Sequence, residues 1–212
     1  MSGFGERFRR AGYTIPKPLI EIEGKPIIAH VIDLFPGETD FIFICNQQHL
    51  DEPDYRMHVI LQHYCPSTRV IGIAPHKLGP INAVRQAEHL LDPQLPVVVN
   101  YCDFTCYWDW QHFKQFITKN QCAGAIPAYR GFHPHSLGNT NYAYMQEIGG
   151  WVQDIQEKQP IPKTEWMSSL PAARITSRPL GGRYTRGRMC QEKMSQLQEN
   201  DACPFWIVDQ CF

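Results

Sequence analysis

The sequence has no apolar run near the roughly 18–20 residues that span a bilayer, no block of one charge sign, and no Cys-x-x-Cys pair. The first absence leaves no membrane-spanning helix to expect. The second, with a formal net charge of -1 at pH 7, argues against a nucleic-acid partner, because such partners are held largely by lysine and arginine against phosphate. The third weighs against zinc, whose ligands usually come in closely spaced pairs. Residues 1–10 are polar and basic without an apolar core, so a secretory signal is not expected either. The cysteines are Cys45, Cys65, Cys102, Cys106, Cys122, Cys190, Cys203 and Cys211. Several sit in apolar stretches, and buried, reduced thiols in a cytosolic protein are the expected state, with a zinc site the lesser reading.

What is present suffices for a core. The chain has 212 residues, 43% hydrophobic and 19% charged, enough for one globular domain, or a domain and a tail. Residues 1–163 alternate strand and helix patterns. Asp40 to Cys45, Thr68 to Ile73 and Pro96 to Tyr101 are short apolar runs of the buried-strand kind. Pro26 suits a first helical position, with Ile27, Ile28, Val31 and Ile32 along one face. Gly79 to Leu91 places Ala83, Val84, Ala87, Leu90 and Leu91 on one helical face, and Asp109 can cap a helix carrying Trp110, Phe113, Phe116 and Ile117. This alternation predicts an α/β fold with a mostly parallel sheet. Segments 141–147 and 151–157 flank Gly149-Gly150 and predict a hairpin. After Lys163 the periodicity stops. The stretch Arg174 to Arg188 is rich in Arg and Gly, Cys203 to Phe212 is briefly apolar, and a poorly packed or disordered tail is expected over 164–212.

Four places carry chemistry. Gly3 and Gly5, followed by Arg7 and later Lys17, offer a loop that approaches phosphate closely and two cations to neutralise it. Asp103 falls at the carboxyl end of an apolar strand, where open α/β sheets bind ligands and a carboxylate can hold Mg²⁺. Gly79-Pro80 opens a helix whose free N–H groups face an acceptor. Lys158 follows a strand, where it can meet a substrate phosphate. Taken singly, these are a turn, a loop-starting aspartate, a plain helix start and a solvated charge pair.

Taken together they resemble a known family. The run GFGERFRRAGYTIPKPLIEIEGKPIIAHVI is similar to the N-terminal signature of sugar-phosphate nucleotidyltransferases, especially those of surface-polysaccharide biosynthesis. VVVNYCDFTCYWDW, FHPHSL and IQEK extend the resemblance in order over residues 1–163. It implies a Rossmann-like three-layer α/β fold. It also implies a reaction in which a substrate phosphate attacks the α-phosphate of an NTP, with Mg²⁺ and release of pyrophosphate. Gly3, Gly5 and Arg7 would then form the triphosphate loop, and Lys17 would contact phosphate. Gly79 and Pro80 would lie near the base or ribose, Asp103 would ligate Mg²⁺, and Lys158 would face the acceptor's phosphate. CTP or another pyrimidine NTP is the favoured nucleotide, and a sugar phosphate or similar metabolite the acceptor.

The resemblance departs at both ends. The family's apolar first strand, directly before the glycine loop, is missing, and Met1 reads as an internal methionine. A central strand would thus be absent and its neighbours left unpaired. After Lys163 the family continues with a run like RMDEFASSGTYYF, where this chain has TEWMSSLPAARITS. Reading each codon's last base with the next codon's first two permits RMDEF, then A, A or S, and SGTYYF, which predicts a frameshift near codon 163. Impaired activity is the expectation for such a chain. A catalytically inactive nucleotide-binding module and a nonfunctional gene remnant are the competing readings.

Overall fold

The pattern of short apolar runs separated by helices is realised in a computed structural model, which describes residues 1, 3, 5–120, 124–128, 143–157, 172–175 and 205–208. The chain divides into two compact units, Met1–Leu91 with Tyr101–Trp110, and Asp92–Asn100 with Gln111–Phe212.

The first unit opens with α1 (Glu6–Arg10) and a short 3-10 turn, Lys17–Leu19. A small antiparallel ribbon, β1 (Glu21–Ile22) with β2 (Lys25–Pro26), leads into α2 (Ile27–Ile32). Pro26 is the residue before that helix rather than its first position. Its fixed φ suits the extended entry, with φ -58° at Pro16 and -65° at Pro26 before the two helical turns. Strand β3 (Ile42–Asn46) then pairs in parallel with β4 (Arg69–Ile73), from Ile42 opposite Arg69 to Asn46 opposite Ile73. The crossover between them holds α3 (Gln47–Asp51), a 3-10 turn Pro53–Tyr55, and α4 (Met57–Tyr64). Asn46 starts α3 by accepting the N–H of Gln48 on its side-chain oxygen at 3.0 Å. Gly72 lets α3 lie close on β4. A Cβ there would collide with the Gln47 side chain and come 3.0 Å from Leu50 Cδ1.

These elements bury one continuous cluster, in which Leu19, Ile28, Val31, Phe43, Cys45, Met57, Leu61 and Cys65 meet. The alternation of strand β3 aims Phe43 and Cys45 at one face, onto α2 and α4. The helix expected over 79–91 is shorter than its pattern. It runs as α5 (Pro80–Gln86), pauses at Ala87 with φ -97° and ψ 0°, and ends in a 3-10 turn Glu88–Leu90. Tightening of a helix end into 3-10 geometry keeps Ala83, Val84 and Ala87 buried, with Leu90 only partly so.

The second unit holds β5 (Val97–Asn100), α6 (Trp110–Asn120) from Gln111 on, its first residue Trp110 belonging to the first unit, and a four-stranded sheet in the order β6-β9-β8-β7. Its strands are β6 (Gly124–Pro127), β7 (Ala143–Ile148), β8 (Trp151–Glu157) and β9 (Ala172–Ile175). Phe113 and Ile117 of α6 are buried as the spacing predicts. The expected hairpin is β7 and β8, joined by Gly149 at φ 59° and Gly150 at φ 85°. Two successive positive φ values are what a tight I′-type connection requires. The buried Glu147 carboxylate accepts the Gly150 N–H across it. Parallel pairing, which joins β3 to β4, gives way here to antiparallel pairing of β7 with β8 and of β6 with β9.

Within 164–212 the described residues form two short strands. Ala172–Ile175 forms β9, and Phe205–Val208 forms β10, which pairs in parallel with β5 from Phe205 opposite Val97 to Val208 opposite Asn100. The residues of β10 are of β-favouring types. No helix among the described residues is long and apolar enough to cross a membrane.

Candidate functional site

The glycine loop at the start of the first unit behaves as its composition requires. Gly3 and Gly5 are exposed, and Gly5 takes φ +62°, a left-handed conformation that L side chains rarely adopt. The Gly5 carbonyl accepts the N–H groups of Phe8 and Arg9 at 3.0 and 3.1 Å, so the loop turns directly into α1. Arg7 lies in that helix, and its side chain falls outside the described residues.

Lys17 stands at the start of the 3-10 turn, between Pro16 and Pro18. Two prolines restrict the backbone around it, and Leu19 sinks the end of the turn into the core cluster. The ammonium is held on two sides. It donates to Asp103 Oδ2 in a direct ion pair that links positions 86 residues apart. It also sits 4.7 Å from the centroid of the Phe8 ring, a cation–π contact. The side chains are 30% and 16% exposed, so water reaches both. The structure therefore brings the glycine-loop helix, the Pro-Lys-Pro turn and the Asp103 loop together through one charge.

Asp103 is carried by a loop fastened at its far end. Trp108 Nε1–H donates to the Leu34 carbonyl at 2.9 Å, and Trp110 Nε1–H donates to Glu38 Oε1 at 2.9 Å. Both indoles meet the Phe35 ring edge-to-face, with centroids 5.7 and 5.2 Å away, and lie 5.3 Å from each other. Phe104, next to the aspartate, is buried. Cys102, on its other side, has its thiol pushed up by burial, and the neighbouring Asp103 charge adds to the rise. This thiol stays protonated near neutral pH and offers no nucleophile.

Gly79 and Pro80 are exposed at the start of α5. Gly79 has φ +86° with open space around the position of a Cβ, so its backbone conformation, not crowding, calls for glycine. Lys158, and the FHPHSL run, lie outside the described residues. The described residues contain no group of three or more His, Cys, Asp or Glu that could hold a metal. A single carboxylate nevertheless fits Mg²⁺ of the kind that keeps several waters and takes its other ligands from nucleotide phosphates. The Lys17 ammonium against Asp103 shows that this carboxylate already receives a cation.

His49 is a buried polar residue that the sequence reading did not single out. It lies in α3, meets the Tyr55 ring edge-to-face at 5.9 Å, and its Nδ1 finds no hydrogen-bond partner among the described residues. Tyr55 in turn donates to the Thr14 carbonyl at 3.2 Å, behind the segment leading to Lys17. Burial, and then the nearby Arg9, lower the His49 pKa from 6.5. The unfolded chain therefore takes up this proton first, and folding stability falls as pH drops below 6.5 toward the folded-state value. Urea midpoints measured from pH 7.5 to 5.5 should decline for the parent chain and decline less for His49→Leu. Equal slopes would remove His49 as the titrating group.

The profile of the MobA-like NTP transferase domain matches residues 2–165. The mannose-1-phosphate guanyltransferase of Aspergillus fumigatus is 27% identical over 144 residues, covering 65% of this chain and 38% of that protein. The protein of the same name from Candida albicans is 26% identical over 147 residues, with the same shares covered. The chain thus spans about 38% of the length of these relatives. Among solved structures, a UDP-glucose pyrophosphorylase from Acinetobacter baumanii superposes with a TM-score of 0.53 at 16% identity, covering 98% of this chain and 83% of that one. That likeness shows the fold, a Rossmann-like α/β architecture.

Proposed function

The chain belongs to the MobA-like NTP transferase domain family, and from that membership we propose that it transfers a nucleotidyl group from an NTP to a phosphorylated small molecule. A phosphate oxygen of the acceptor attacks the α-phosphorus. The bond from that phosphorus to the bridging oxygen breaks, and pyrophosphate leaves. Such a reaction asks for in-line positioning and charge neutralisation more than for a covalent nucleophile.

The observation that carries this reading is the meeting of Lys17 with Asp103 beside the helix that follows the glycine loop. Gly3, Gly5 and Arg7 are assigned to the triphosphate, Lys17 to a phosphate oxygen, Gly79 and Pro80 to the base or ribose, and Lys158 to the acceptor's phosphate. Asp103 is assigned to Mg²⁺, which when bound would screen the triphosphate charge and polarise it toward attack. The catalytic unit is assigned to residues 1–163, with 164–212 outside it, and the compartment to the cytosol, in keeping with the free thiols of Cys45, Cys65, Cys102 and Cys106.

The acceptor is proposed to be a sugar phosphate, in line with the mannose-1-phosphate in the names of the matched relatives. For the nucleotide, the resemblance of the first sequence block to surface-polysaccharide enzymes favours CTP or another pyrimidine NTP. The guanyl group in those same names makes GTP the competitor. The test is pyrophosphate release by the purified chain with Mg²⁺, each of CTP, UTP, dTTP and GTP, and a panel of sugar 1-phosphates. Release that needs both substrates supports transfer. Nucleotide binding without release with any acceptor would instead mark an inactive binding module.

A further inference from the structure

We infer that Lys17 occupies the cation seat at Asp103 while the site is empty of nucleotide, so that the divalent metal enters only together with the triphosphate. The inference rests on the proposed reading of Asp103 as the magnesium carboxylate.

The geometry supplies the reason. The Lys17 ammonium is paired directly with Asp103 Oδ2 and backed at 4.7 Å by the Phe8 ring. A carboxylate so paired presents little net charge to a free divalent ion. That ion must displace an ammonium held from two sides, and must also give up tightly bound water for one oxygen ligand. Mg²⁺ dehydrates reluctantly and is usually held by one or two carboxylates plus substrate phosphates. Free metal therefore loses this competition.

A nucleoside triphosphate alters both sides of the exchange. Its oxygens give the ammonium a second anionic partner, and they supply the ligands that a lone aspartate lacks. The lysine can make this change without moving its own backbone. Pro16 and Pro18 confine the turn, Leu19 anchors it in the core, and the long side chain swings from that base. Phe8 keeps an apolar face against the ammonium as it changes partners. The same residue is thus a placeholder before binding and a phosphate ligand after it.

The experiment uses Mn²⁺ as the probe and reads protein-bound metal by the enhancement of water-proton relaxation, on the purified chain, with and without CTP or whichever NTP binds. The parent chain should take up Mn²⁺ weakly alone and strongly with nucleotide. Lys17→Met should bind Mn²⁺ alone about tenfold more tightly, since it lifts a unit charge a few ångströms from the seat, partly screened by water. Lys17→Arg should remain like the parent. Lys17→Gln reads the same quantity if the Met variant does not fold, as judged by circular dichroism. Unchanged free-metal affinity in Lys17→Met, with metal and nucleotide still binding together, overturns the placeholder role alone. Metal–nucleotide binding that survives intact in Asp103→Asn overturns the reading of Asp103 beneath it.

Discussion

On the proposed reading, Asp103→Ala should lower Mg²⁺-dependent pyrophosphate release by about a hundred- to a thousandfold, the usual loss on removing one preorganised electrostatic group from a transfer site. The expectation follows from position. Asp103 follows β5, and its carboxylate is the partner of Lys17, which also meets the Phe8 ring of the glycine-loop helix. Folding should suffer far less. The pair is partly open to water, with side chains 30% and 16% exposed, and ion pairs of that kind add little to stability. Thermal unfolding of the variant should therefore stay close to the parent while its turnover collapses, with both rates taken relative to the parent chain's own. Asp103→Asn, which keeps size and removes charge, should fall with it. Retained turnover in either variant removes the metal assignment.

Leu61→Ala should cost about 2–5 kcal/mol of stability, the range for emptying a fully enclosed leucine site. Leu61, on α4, has 0% exposure and packs within the cluster of Phe43, Cys45 and Met57. Two residues earlier on the same helix, Val59 is 53% exposed, and Val59→Ala should change stability by no more than about 0.5 kcal/mol. Chemical denaturation of the pair checks both numbers. Similar losses at the two positions would mean that α4 does not bury the face seen here. The effect reaches the site as well. Leu19, which ends the Lys17 turn, belongs to the same cluster, so a cavity at Leu61 loosens the base from which Lys17 works.

Sequence periodicity reaches some of these features and not others. Runs such as IFICN and VVVN are apolar on both faces and say strand without help. The Gly149-Gly150 pair says turn because two positive φ angles in succession exclude most other residues. Helix α4 is harder to read. Its histidines and glutamine interrupt the apolar spacing, and only Met57 and Leu61 are buried. The pause at Ala87 is set by a ψ near 0° that no alanine advertises. β9 and β10 are each four residues long and draw their partners from far away in the chain, so no short-range pattern marks them.

The site divides in the same way. Lys17 and Asp103 stand out as residues, and the glycine loop as a motif, but their pairing across 86 positions is a property of the fold. So is the fastening of the Asp103 loop, since the acceptors for Trp108 and Trp110 lie 74 and 72 residues back. Phe8 belongs to the first recognised block, yet its role under the ammonium depends on how α1 meets the Pro-Lys-Pro turn. His49 carries no motif at all. It matters because it is enclosed, and enclosure is not written in any short stretch of sequence.

Cys45 provides a clock for this molecule. Its side chain is fully enclosed in β3, and burial pushes the thiol up to about 12. An alkylating reagent needs a reachable thiolate, and the folded unit supplies neither reach nor charge. Labelling at this position must wait for β3 to come away from α4. When reclosing is faster than labelling, the ratio of the observed rate to that of an unfolded chain gives the fraction of time the layer stands open. Mass spectrometry of the labelled peptide reads that fraction without any substrate, so the seating of the core beneath Lys17 can be timed on the protein alone.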